Sequence, residues 1–419
     1  MTPIRPSSST RYAIPTSLLL VNLVPGMLNS IPSDPMTSLR LFQILSPGDD
    51  LGEQRSSVAG ANAYRLMLLP ATIREAAEVA DVILVEMNDA LATYQSALVW
   101  DDHCGFTVTI ERSLDDLLRP WHDAGVNYLS VNIYYDRQPW TDAMESATGL
   151  RGRLAEEAPY CQLVSRVDDI TLANQQGQLA VAMDIEGMNA LNGRVELVQT
   201  YYDLGVRHMM IAYNRNNLAG AGCHDQNLGL TDFGCKVIDE MNRVGMVVDC
   251  SHTGIRTSLE AMARSAYPVV VSHTSPRALV DHERNITDEQ IKACAQTGGV
   301  VGISGVNLFL GADAATPEAV ARHIAYVAEL VGVEHVGISL DFDPEEHASY
   351  ESHVESTVME DVDNEFWPQG SGYDRPAQTL HIRHLPDIAR SLMELGFTAD
   401  ELRAILGGNF FRVAKEVWR

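Results

Sequence analysis

The chain has 419 residues, 46% of them hydrophobic, and a formal net charge of −26. That content allows a large buried core, and the acidic balance argues against a nucleic-acid or anionic-membrane surface. No run long and apolar enough for a membrane-spanning helix occurs, and six cysteines without a CxxC pair fit a reduced, cytoplasmic protein.

Residues 1–66 are rich in Ser, Pro and Thr and show no sustained period, so they are expected to be a poorly ordered extension. The apolar stretch Ser17–Leu28 is broken by Asn22 and Pro25, which argues against a secretory leader. Regular structure begins after Met67, and residues 67–419 are expected to form one domain. Helical spacing over Ala71–Thr93 comes first.

Short apolar, β-branched runs then alternate with amphipathic helical stretches. The runs are Ser96–His103, Val126–Tyr134, Gln178–Glu186, Val206–Tyr213, Gly245–His252, Tyr267–His273, Gly298–Ser304 and His335–Asp341. Leu228–Val244, Arg256–Ser265 and Pro317–Leu330 carry helical spacing between them. Strand-then-helix repetition with near-continuous apolar strands implies a parallel sheet. Eight such units predict a (β/α)8 TIM barrel rather than an open doubly wound sheet. No G-x-G-x-x-G follows the first strand, which argues against dinucleotide binding.

Barrel active sites lie at the C-terminal ends of the strands. The first predicted strand ends at His103, the third at Glu186, the fifth at His252 and the sixth at His273. These are residue types that hold borderline divalent metals such as zinc, and a barrel brings such ends together. The remaining histidines, His208, His224 and His282 among them, lack that placement and are read as structural. Asp341, ending the eighth strand, is placed to move a proton to a leaving amine. Arg284, in the loop after the sixth strand, can hold a carboxylate through two parallel hydrogen bonds.

Taken together, these blocks resemble the membrane (renal) dipeptidase family of amidohydrolase-like barrels over about residues 70–419. The resemblance rests on Gly229–Gly234, Met241–His252, Val271–Ser275, Arg284-Asn285, His335–Asp343 and Gly408–Val413. It implies zinc-dependent hydrolysis of dipeptides, two ions bridged by Glu186, His252 and His273 on the second ion, Arg284 on the substrate carboxylate and Asp341 as proton shuttle. It also implies a homodimer.

Two positions depart from the family pattern. A ligand Asp two residues after His103 is replaced by Gly105, which leaves the first metal only His103 and Glu186. Cys104 and Asp102 are out of phase with the site by strand alternation. After the fourth strand a substrate-contacting His is replaced by Tyr213, which can still donate to a carbonyl oxygen. Three functions follow. The first is a dipeptidase using a metal-activated water, with one or two zinc ions. The second is a one-metal tailoring hydrolase for a specialised peptide or cyclic amide. The third is a non-catalytic peptide-binding relative. If Gly105 has merely removed a ligand, Gly105→Asp restores a second ion.

Overall fold

The computed structural model describes residues 89–109, 111–311, 314–344 and 363–419. The expected extension 1–66 and most of the Ala71–Thr93 helix lie outside the described residues; residues 89–96 are helical.

Among the described residues, nine parallel strands form one sheet: β1 Trp100–Asp101, β2 Tyr128–Tyr135, β3 Cys161–Leu163, β4 Leu179–Glu186, β5 Val206–Met210, β6 Val247–Asp249, β7 Val269–Thr274, β8 Val301–Ile303 and β9 Val336–Ile338. The order is β1-β2-β4-β5-β6-β7-β8-β9, the eight expected strands in chain order. β3 was not anticipated. It pairs with Leu179–Val181, while β5 pairs with Met183–Ile185, so two short strands share one edge of β4.

Helices return the chain from each strand to the next. Their starts are written in the sequence. Thr231 accepts from Gly234 N ahead of helix Asp232–Val244, and Thr287 forms a capping box with Gln290 ahead of Asp288–Gln296. Such caps satisfy amide groups that have no partner inside the helix. Gly205 and Gly245 end their helices at φ of 118° and 92°, where a side chain is disfavoured.

The barrel is nearly closed. No strand ladder joins β9 to β1 among the described residues; single contacts do so instead. The Asp101 carboxylate accepts Leu340 N–H at 3.1 Å, and Gly105 N–H donates to Phe342 O at 3.0 Å.

Below the strand ends the barrel interior is charged rather than purely aliphatic. His208 lies between Asp249 at 3.3 Å and Asp184 at 3.6 Å, and its Nε2 also meets Ser130 Oγ at 3.1 Å. All four side chains are buried. Burial opposes protonation of His208, but Asp102, Asp184 and Asp249 raise its pKa to about 9. His208 thus sits in a buried network of ionisable groups. None of the described helices is long and apolar enough to cross a membrane.

Candidate metal centre

The three expected histidines gather around Glu186, the fourth expected ligand. Glu186 is the last residue of β4, and His273 lies within β7. His103, His252 and Asp341 are not strand-terminal, as the sequence suggested. They sit in the loops after β1, β6 and β9, because those strands stop after two or three residues. His252 and Asp341 both take φ of 58°. This left-handed geometry costs an L-residue about 1–2 kcal/mol and is characteristic of functional positions.

Glu186 Oε1 is the hub. It lies 3.6 Å from His103 Nε2, 3.3 Å from His252 Nε2 and 3.5 Å from His273 Nε2. The His103 and His273 rings stack with centroids 4.0 Å apart, and His252 Nε2 lies 3.0 Å from His273 Nε2. His103, Glu186 and His273 thus form a group whose ligand atoms all lie within 4.8 Å of one another.

The hydrogen bonds fix what these atoms present. Asn214 Nδ2 donates to Phe366 O, so Asn214 Oδ1 faces His252 Nδ1, at 2.7 Å. That oxygen only accepts, so Nδ1 carries the proton and Nε2 presents a bare lone pair. Burial holds His252 and His273 well below the usual histidine range, and both are neutral. Asn132 Nδ2 donates to Glu186 Oε2 at 2.7 Å, leaving Oε1 to face the three imidazoles. Glu186 and the facing imidazoles could hold a cation between them. Three imidazoles and a carboxylate form a donor set suited to zinc-like ions.

His103 is oriented from behind by Asp184, whose Oδ1 lies 3.2 Å from Nδ1. Burial opposes protonation of His103, but Asp184, Glu186 and Asp341 raise its pKa to about 10. Glu186 is raised to about 8, first by burial and against the pull of His103. Asp184, Asn132 and Asn214 were not singled out in the sequence. Asp184 was within reach: it stands two residues before Glu186, on the same face of the strand, and carboxylates commonly support ligand histidines.

Gly105 faces a tight seam. A Cβ there would lie 2.7 Å from the Asp341 carbonyl oxygen and 3.2 Å from Asp341 Oδ1. Asp341 Oδ1 also lies 3.6 Å from His103 Nε2. Gly105→Asp would therefore not simply restore a ligand: it would force β9 away from β1 and set a second carboxylate against Asp341. Gly105→Ala is expected to cost about 1–3 kcal/mol of stability, the range for overpacking a tight site. Chemical denaturation of the variant beside wild type checks this. Cys104 points away from the site, as expected, into the hydrophobic core.

A cavity of about 420 Å³ opens over the cluster. Glu186, His252, Asp341 and Tyr213 line it. The Tyr213 ring stacks on His252 at 4.2 Å, and burial raises its pKa well above the usual tyrosine value, so the phenol keeps its proton. Asp341 is raised as well, mainly by burial. Arg284 is placed differently from the sequence expectation. It is 2% exposed, does not line this cavity and lies beside the Phe309 ring. Its Nη2 donates to His273 O at 2.7 Å, while Nε and Nη1 are buried without a partner.

The family model of membrane dipeptidases (peptidase family M19) matches residues 150–357. An uncharacterised dipeptidase of Schizosaccharomyces pombe is 35% identical over 300 residues, covering 69% of this chain and 66% of the relative. Dipeptidase tcpJ of Claviceps purpurea is 30% identical over 261 residues, covering 61% and 55%. The chain thus spans about half to two thirds of the length of these curated relatives. Among solved structures, an amidohydrolase from Pseudomonas aeruginosa aligns at a TM-score of 0.67 and 24% identity, over 78% of this chain and 99% of that one. A metallopeptidase from Rhodobacter sphaeroides, bound to a phosphinate mimic of L-Ala-D-Ala, aligns at 0.60 and 19%, over 77% and 99%. At these identities the two structures support the fold alone.

Proposed function

From the premise that this chain belongs to the membrane dipeptidase family, we propose that it hydrolyses the peptide bond of dipeptides, using a zinc ion held by three of the four clustered residues His103, Glu186, His252 and His273. The observation that carries the reading is the convergence of three imidazole nitrogens on Glu186 Oε1 within 3.6 Å. When bound, a divalent cation supplies Lewis acidity and lowers the pKa of water.

The chain's own residues supply the rest. Asn132 and Asp184 hold Glu186 and His103 in position. Tyr213 donates a hydrogen bond from its phenol to the scissile carbonyl oxygen, a role that charge development strengthens in the transition state. Asp341 moves a proton to the leaving amine. Arg284, which does not line the cavity, holds the His273 backbone in place through its bond to His273 O.

Three protein donors and one position open to water make a catalytic tetrahedral ion. Gly105 offers no ligand to a second, which favours a one-ion hydrolase and keeps a specialised peptide or cyclic amide as an alternative substrate. Purified protein is expected to carry one ion per chain and to release free amino acids from a dipeptide panel supplied with zinc or manganese. Two tightly bound ions would overturn the count. Silence across the whole panel would overturn the dipeptidase reading.

A further inference from the structure

Part of the cavity wall is a separate hydrophobic cluster, distinct from that of the barrel core. Tyr213, Val306, Leu308, Phe309, Trp367 and Tyr373 form it. It begins at the reacting centre, because Tyr213 stacks directly on His252. From there it runs outward. Tyr135 lies 5.3 Å from Tyr213 at a tilt, and Trp367 stands edge-on to Tyr213 at 6.2 Å.

The outer part of this wall comes from residues 363–380, beyond the segment matched by the family model, which ends at 357. That stretch is fastened to the barrel mouth on several sides. Asp363 pairs with Arg137, and Phe366 O accepts from Asn214 Nδ2. Tyr373 OH lies 2.8 Å from His224 Nε2, and Leu380 N–H donates to Gly305 O at 3.0 Å. Trp367 is thus held in place with its ring against the cavity rather than lying loose on the surface.

Two parts of the cavity wall have different chemistry. Glu186, Asp341 and Asp343 line the cavity together with Arg112 and Arg137, Asp343 pairing with Arg112 at 3.2 Å and Arg137 with Asp363, whereas the six residues of the aromatic cluster carry no charge. About 420 Å³ lies within the usual range for small-molecule sites, about 300–1,000 Å³. Apolar side chains gain most from burial against such rings, in edge-to-face or offset contact. A small or charged side chain gains little there, and a charged one loses hydration.

We propose that this wall is a subsite for an aromatic side chain of the substrate, with Trp367 as its main specificity-determining residue. The proposal rests on the dipeptidase reading for its reaction, but not for the binding preference itself. The substrates it assigns are dipeptides carrying phenylalanine, tyrosine or tryptophan next to the scissile bond.

Two measurements on the full chain test it. In the first, kcat/KM is compared for Phe-Phe, Phe-Ala, Ala-Phe and Ala-Ala. The aromatic substrates are expected to lead Ala-Ala by about tenfold or more, and Trp367→Ala to shrink that ratio by about tenfold. Trp367→Leu, which keeps the wall apolar, is expected to shrink it less and serves if the alanine variant does not fold. Equal use of Ala-Ala, or a ratio that Trp367→Ala leaves unchanged, overturns the subsite. The second measurement is calorimetric binding of reduced-amide isosteres of Phe-Phe and Ala-Ala, whose methylene replaces the scissile carbonyl and cannot be hydrolysed. Tighter binding of the Phe-Phe isostere, weakened in the Trp367 variants, upholds the subsite even if no dipeptide is cleaved. That pattern would fell the dipeptidase reading alone. Indifference to the two isosteres overturns the subsite whatever the turnover.

Discussion

His252→Ala is expected to reduce dipeptide hydrolysis by about a thousandfold or more, at or beyond what losing one fixed electrostatic contact at a reaction centre costs. Three consequences of the substitution act together. One bare imidazole nitrogen leaves the cluster around Glu186 Oε1. Asn214 Oδ1 loses the ring that it holds at 2.7 Å. Tyr213 loses the surface on which it stacks. Alanine also adopts a φ of 58° poorly, which adds a backbone cost unrelated to the metal. His252→Gly removes that cost, because glycine occupies this region freely. Both variants should lose activity and bound ion together, while the glycine variant melts closer to wild type. Metal content, steady-state rates and thermal melts on the same preparations check this. Retained turnover in either variant would remove His252 from the centre.

Asp341→Asn is expected to lower kcat by about 10²–10⁴, the usual worth of a positioned general acid or base. Asparagine preserves size and tolerates the left-handed backbone at this position, where φ is 58°. Bound metal should stay close to wild type, because the ligand cluster is built from His103, Glu186, His252 and His273. A fall in kcat with little change in ion content assigns Asp341 to proton movement. A parallel loss of the ion would assign it to the ligand set, a role that its 3.6 Å approach to His103 Nε2 also permits. Rates and metal analysis on one preparation separate the two.

The barrel was legible because its strands are apolar, short and regularly separated by capped helices. The ligands were legible because a parallel barrel turns residues far apart in sequence into neighbours. Other features carried weaker signals. β3 is three residues long and leaves no period to detect. His208, Asp184 and Asp249 read as ordinary polar residues until the strands bring their side chains inside the barrel. The close approach of Gly105 to Asp341 depends on how the first and last strands meet, and no local pattern encodes it. Arg284 stood in the expected loop, but its burial beside Phe309, off the cavity lining, is set by tertiary packing. Trp367 and Tyr373 belong to a stretch whose position is fixed by long-range hydrogen bonds rather than by periodicity.

The seam between β1 and β9 also bears on how the molecule folds. Asp101 and Leu340, whose hydrogen bond ties it, are 239 residues apart in the chain. Contacts of such separation carry the largest loop-closure entropy and tend to form late. His103 and Asp341 flank that seam on opposite sides. A folding intermediate with most of its strands already paired would then still hold the proton-shuttling carboxylate apart from the ligand histidine. Recovery of activity during refolding should accordingly lag behind recovery of secondary structure, with the emergence of function marking the final closure of the barrel.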